Sequence, residues 1–264
     1  MDQRGPLCAG IDPHAALLTS WGLSDDVGGL ERFAMTAVEA LAGTVAAVKP
    51  QSAFFERHGS RGIAVLERTI VAARELGALV VLDVKRGDIG STAQAYADAY
   101  LDPSSPIAVD AVTASPFLGV GSLDPMFDTA DKHGAGVFVL ALTSNAEGPQ
   151  VQHARTAGGS TVAGAVLDAL RARNDGADPM GSFGAVVGAT IGDTEEGLDI
   201  GGPLLVPGIG AQGGSVEDVR RIFGPAVRNV LPSSSREILG AGPDPRALAD
   251  AASRANDAFR ELVR

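Results

Sequence analysis

The stretch Val81-Leu82-Asp83-Val84-Lys85-Arg86-Gly87-Asp88 sets two carboxylates and an ammonium within six residues, directly after an apolar run. The lysine is the unusual member. The chain contains 18 arginines but only three lysines: Lys49, Lys85 and Lys132. Arg is effectively never deprotonated in a protein, whereas Lys can give up a proton. A chain that writes nearly every cation as Arg keeps Lys where Arg cannot serve. Lys85 is therefore a candidate proton donor, flanked by Asp83 and Asp88.

Short apolar runs must position these groups. Strands are expected at Pro6–Asp12, Thr44–Lys49, Leu79–Val84, Ala108–Ala114, Gly136–Thr143, Gly184–Thr190, Leu204–Pro207 and Val227–Leu231. Helical patterns lie between them, as at Leu30–Leu41, Gly62–Leu76 and Val162–Arg173, and Pro245–Val263 follows the last strand. Such alternation implies parallel strands joined by helical crossovers. Eight repeats point to a closed α/β barrel, a (β/α)8 TIM barrel, forming a single domain over residues 1–264. An open doubly wound sheet would carry phosphate-binding glycines after its first strand. Here the first loop reads Asp12-Pro13-His14. The segment Asn145–Thr161, rich in Gly, Gln and small residues, reads as a long mobile loop after the fifth strand, where lids often sit.

In a barrel, residues at the C-terminal ends of strands face the active site. Asp12, Lys49, Asp83, Lys85 and Arg236 sit at such ends. Side chains alternate across a strand, so Asp83 and Lys85 share the inward face while Leu82 and Val84 face the helices. Neighbouring strands lie roughly 4.8 Å apart, which allows Lys49 to sit beside Asp83. The expectation is an alternating array of Lys49, Asp83, Lys85 and Asp88, each group kept ionised by its opposite neighbours.

A second constellation is Val206-Pro207-Gly208-Ile209-Gly210-Ala211-Gln212-Gly213-Gly214, after strand seven and before a helix. Glycines let backbone approach an anion, and exposed amides with a helix N-terminus bind phosphate. Strand eight leads into Ser233-Ser234-Ser235-Arg236. Loops seven and eight form the usual phosphate site of a barrel, and Arg236 would supply a forked contact. His14, His58, His133 and His153 show no metal-ligand spacing. Cys8, the only cysteine, reads as a small core residue, and Ser144 has no evident base.

Bulk properties exclude several classes. Net charge is −11, so no basic stripe is available for nucleic acid. No run of roughly 18 apolar residues suggests a membrane span, and Met1-Asp2-Gln3-Arg4-Gly5 lacks the apolar segment expected of a signal peptide. One cysteine precludes an intramolecular disulfide and fits a reducing cytoplasm.

Taken together, these residues resemble orotidine 5′-phosphate decarboxylases across essentially the whole chain. The resemblance rests on Gly10-Ile11-Asp12-Pro13, Val48-Lys49-Pro50-Gln51, Asp83-Val84-Lys85-Arg86-Gly87-Asp88-Ile89, Pro207-Gly208-Ile209-Gly210-Ala211-Gln212 and Ser235-Arg236. Val48 to Glu56 looks like the longer bacterial branch. The resemblance implies a cofactor-free, metal-free conversion of orotidine 5′-phosphate to UMP and carbon dioxide, the last step of pyrimidine synthesis. It implies that Asp83 faces the leaving carboxylate and that Lys85 protonates C6. It assigns ribose hydroxyls to Lys49 and Asp12, and phosphate to Gln212 and Arg236 with Pro207, Gly208 and Gly210. Asp88, Ile89 and Thr92 would reach into a neighbouring subunit's site, giving a homodimer. Ser144 matches a pyrimidine contact, with Thr143 and Asn145 as competing positions. Relatives often carry Gly where this chain has Ser235. A magnesium-dependent sugar-phosphate decarboxylase or aldolase on the same barrel is the alternative enzyme, and those tend to be acidic where this chain has Lys49. A non-catalytic phosphate-binding barrel is the alternative outside enzymes.

Overall fold

The computed structural model describes residues 3–209 and 213–261. Eight parallel strands close into a barrel in sequence order: β1 Cys8–Ile11, β2 Ala47–Pro50, β3 Leu79–Arg86, β4 Ala111–Ala114, β5 Gly136–Leu142, β6 Phe183–Val187, β7 Leu204–Pro207 and β8 Val230–Ser234. Pairing of Cys8 with Ser233 and Ala9 with Ser234 closes the circle. The expected (β/α)8 class is thus observed.

The strands are buried on both faces, as parallel strands under helices must be. Cys8, Ala47, Val81, Ala111, Phe138, Val186, Leu205 and Leu231, one from each strand, pack together inside the barrel. Leu82 and Val84 belong to the separate core between sheet and helices. The alternation expected in β3 is therefore present from Val80 to Val84.

The helices follow their sequence signals. Val27–Leu41 begins where the Asp26 carboxylate accepts the Gly29 amide, and buries Leu30, Phe33, Ala34, Ala37, Val38 and Leu41, a helical-period stripe. Val162–Arg173 matches its expected span and is capped by Thr161, whose hydroxyl accepts the Gly164 amide. The last helix runs Pro245–Arg260, with Pro245 in its first turn after the Asp244 cap. Its Asn256 accepts the Leu7 amide at 3.1 Å, tying the end of the fold to its beginning.

Several expected bounds shift: β2 begins at Ala47 rather than Thr44, β4 at Ala111 rather than Ala108, and β6 ends at Val187 rather than Thr190. The eighth strand begins at Val230 rather than Val227, because Gly224–Asn229 forms a 3-10 turn containing Pro225. The strand extends through Ser234, and Ser233 pairs with Pro207 of β7. The Asn145–Thr161 segment is not a featureless loop. It contains the short helix Pro149–Gln152 and an Arg155–Thr161 bridge. Gln152 bonds both the amide and the hydroxyl of Thr143.

Candidate active site

Three charged side chains converge at the C-terminal end of β2 and β3. Lys49 Nζ donates to Asp83 Oδ2 at 2.9 Å, and Lys85 Nζ donates to Asp83 Oδ1 at 2.5 Å. Directly across from Asp83 lies Gln51, not Lys49. Lys49 starts two residues lower on the inward face, and its long side chain rises to the carboxylate. Lys49 and Asp83 are buried, whereas the Lys85 side chain is 45% exposed.

Electrostatics explain why such a buried pair persists. Removing charges from water is costly unless they are paired and hydrogen-bonded. Burial pushes the Asp83 carboxyl up, but Lys49 and Lys85 outweigh it and hold its pKa at about 2. Burial works to lower the Lys49 ammonium, but Asp83 and Asp12 outweigh that and raise it above its ordinary value. All three groups are therefore organised around one carboxylate that stays ionised.

Asp88 stands outside this cluster within the chain. Its carboxylate accepts the Ile89 amide at 2.8 Å, and among the described residues it forms no ion pair with Lys85. Asp88, Ile89 and Thr92 lie at the start of helix Gly90–Leu101, on the rim, with Ile89 62% exposed. A single chain thus assembles Lys49–Asp83–Lys85, without the fourth member.

Asp12 follows β1. Its Oδ2 accepts the Ser235 hydroxyl at 2.5 Å, while its Oδ1 is buried with no partner. That oxygen is a free acceptor beside the lysine cluster. His14 serves structure: its Nδ1 accepts the Leu17 amide at 3.3 Å and caps helix Ala15–Ser20. The Cys8 thiol is pushed up to about 12 by burial, against the pull of Lys49, so it is no nucleophile.

Opposite this cluster, loops seven and eight are neighbours because β7 and β8 pair through Pro207 and Ser233. Gly208 takes φ +96°, a conformation that suits glycine. The Gly214 amide returns to the Gly208 carbonyl at 3.1 Å, closing the turn. Gly210 and Gln212 lie outside the described residues. Arg236 is exposed after β8 and has no carboxylate partner among the described residues. The helix end after this turn carries its own caps. The helix after this turn, Val216–Phe223, is capped by its own Ser215 and Asp218 in a reciprocal box, with Glu217 also in its first turn. The Ser215 and Asp218 amides are therefore satisfied within the chain, and two carboxylates already stand in the helix's first turn.

At the end of β5 the three competing residues separate. The Thr143 hydroxyl donates to Asn145 Oδ1 at 2.6 Å, and Asn145 donates to Glu147 at 3.0 Å. Ser144 is exposed and carries no such bond among the described residues. Its Oγ lies over Gly188, where an added Cβ would meet it at 2.0 Å.

Comparison with known proteins decides the family. The model of the orotidine 5′-phosphate decarboxylase / HUMPS family matches residues 5–252. The chain belongs to this family. A Nocardioides sp. relative bearing the name orotidine 5′-phosphate decarboxylase is 67% identical over 260 residues, covering 97% of this chain and 94% of that protein. A Streptomyces avermitilis crystal structure described by the same enzyme name superposes with TM-score 0.98 at 61% identity, covering 100% of this chain and 93% of the other. The Leishmania donovani OMP decarboxylase superposes with TM-score 0.72 at 30% identity, covering 98% and 95% of the two chains.

Sequence reasoning passed over two site residues. Thr113 on β4 is 1% exposed, and its hydroxyl donates to Asp83 Oδ1 at 2.9 Å. A polar residue in the apolar run Ala111–Ala114, at an inward-facing parity, was the signal available. Ser235 was read only as a departure from Gly, yet its hydroxyl orients Asp12.

Proposed function

We propose that the chain converts orotidine 5′-phosphate to UMP and carbon dioxide, closing de novo pyrimidine synthesis as a carbon–carbon lyase. The observation that carries this reading is the convergence of two ammonium groups on one buried carboxylate. The family membership and the names of its relatives support it.

In this reading the glycine turn (Pro207, Gly208, Gly210, Gln212) and Arg236 hold the phosphate. The free Asp12 Oδ1 and Lys49 take ribose hydroxyls, and Ser144 contacts the pyrimidine. The substrate carboxylate is placed next to Asp83. The bond from C6 to the carboxyl carbon breaks, the electron pair stays on C6, and Lys85 delivers a proton there. Carbon dioxide leaves, and Lys85, being half open to water, is reprotonated from solvent. An ammonium fixed at that carbon stabilises localised negative charge in the transition state more than it stabilises the delocalised carboxylate of the ground state. No cofactor or metal is required by this sequence of steps.

The active unit is a homodimer of single-barrel chains with shared sites, acting in the cytoplasm. Ile89, Phe117 and Leu118, exposed at 62%, 75% and 53%, support a partner covering this rim. Asp88, Ile89 and Thr92 then enter the partner's site. The neighbouring reading, a magnesium-dependent sugar-phosphate enzyme, is disfavoured by Lys49. Its ammonium rests on the Asp83 oxygen that a cation would need.

The test is direct. Mixed with orotidine 5′-phosphate, the protein is expected to deplete the orotate chromophore, and to do so undiminished in a chelator. A folded sample without turnover overturns the proposal, and loss of turnover in chelator favours the metal-dependent reading.

A further inference from the structure

The pairing of β3 with β4 is broken next to the lysine cluster. Leu82 pairs with Val112, but the next pair is Arg86 with Ala114. Asp83, Val84 and Lys85 therefore stand opposite Thr113 alone. A bulge of this kind leaves backbone amides without ladder carbonyls. Both amides turn instead to the Thr113 side chain: Oγ1 accepts Val84 N at 3.0 Å and Lys85 N at 2.9 Å. The same hydroxyl donates to Asp83 Oδ1 at 2.9 Å. A hydroxyl has one proton and two lone pairs, so Thr113 is fully used, and all of it is spent on the segment from Asp83 to Lys85. Lys85 takes φ +46°, the only non-glycine residue at positive φ among the described residues.

We propose that Thr113 is a positioning residue: its hydroxyl holds the left-handed backbone of Lys85 and the carboxylate of Asp83 in one arrangement, and so fixes where the Lys85 ammonium delivers its proton. The inference rests on the decarboxylase reading above. Three contacts make it specific. The hydrogen bond that the Lys85 amide donates to Thr113 Oγ1 anchors the start of the side chain, and Asp83 Oδ1 anchors its end. Thr113 binds both anchors. No other side chain among the described residues hydrogen-bonds both the Lys85 amide and Asp83 Oδ1.

The experiment compares Thr113→Val, which keeps shape and loses the hydroxyl, with Thr113→Ser, which keeps the hydroxyl. Steady-state rates with orotidine 5′-phosphate and the Kd for UMP are measured on each. A displaced proton donor is expected to cost T113V on the order of 10–100-fold in kcat, with KM and the UMP Kd within about threefold and T113S restoring most of the rate. Wild-type kcat in T113V overturns the proposal, and so does equal loss in T113V and T113S, which would point to packing. Should T113V not fold, Thr113→Ala against T113S differs by one oxygen and decides the same way. The wild-type protein is assayed first. No turnover there removes the decarboxylase reading itself, whereas turnover with an indifferent T113V removes only the role of Thr113.

Discussion

Lys85 combines features that rarely coincide. It sits at positive φ, its ammonium rests on a buried carboxylate, and nearly half its side chain remains in solvent. A non-glycine residue in that conformation costs about 1–3 kcal/mol and persists only when its surroundings over-determine it. Lys85→Ala should lower kcat by at least the ~10²–10⁴-fold typical of a lost general acid, while UMP affinity stays largely intact. Single-turnover rates with a parallel UMP titration check this, and near-normal rates would refute the proton-donor role. Asp83 makes a prediction about stability. Its carboxyl lies below its unfolded value, so its contribution is present above pH ~3.9 and fades as pH falls through about 2. Urea titrations should show wild-type stability dropping across that window. Asp83→Asn should lack this drop and be weaker at pH 7 by ~3–5 kcal/mol, because Lys49 is then buried without its partner. Residue chemistry was legible early, since lysine is scarce here and Asp83 and Lys85 share a parity. The backbone of Lys85 was not. Alternation assumes a regular strand, and nothing local in Asp83-Val84-Lys85 announces a bulge that depends on Thr113 thirty residues on.

At the scale of elements, loops and ladders rather than strands decide what reaches the site. The strand-eight shift shows the difference. Val227 looks like a strand residue by composition, but Pro225 and the turn around it delay pairing until Val230. In the observed register Ser233 is level with Pro207, and Ser235 lies against Asp12. The helix after β7 teaches the same lesson. A glycine turn followed by a helix resembles an anion site, yet Ser215 and Asp218 close that helix end, a capping pattern written in the sequence as Ser-Val-Glu-Asp. The end of β6 offers the matching test. Ser144 Oγ occupies the space above Gly188, so Gly188→Ala forces the two apart. We expect ~1–3 kcal/mol of lost stability from overpacking, together with a raised KM for orotidine 5′-phosphate. Thermal melts and steady-state kinetics measure both, and an unchanged KM would detach Ser144 from the pyrimidine.

At the scale of the whole molecule, the closed barrel was readable because its eight apolar runs alternate with helical patterns and no phosphate glycines follow the first. Whether one chain is a complete site was not readable in the same way, since contacts to a second chain leave no periodicity. The structure sharpens that question. Asp88 belongs by spacing with Asp83 and Lys85, but within the chain its carboxylate is turned to the Ile89 amide on the rim. If Asp88 serves a partner across a two-fold axis, each site combines Lys85 from one subunit with Asp88 from the other, and the interface is the same patch on both. Neither Lys85→Ala nor Asp88→Ala homodimers then contain an intact site. In a heterodimer of the two, one site carries both defects and the other carries neither. Random reassortment makes about half the dimers mixed, and half the sites in those are whole. Roughly one quarter of wild-type activity should therefore return after mixing and re-equilibrating the inactive chains. Titrating one variant against the other, with sedimentation to confirm the dimer, gives the stoichiometry. Activity that stays at the level of the separate variants would place Asp88 in its own subunit's site or outside the chemistry altogether.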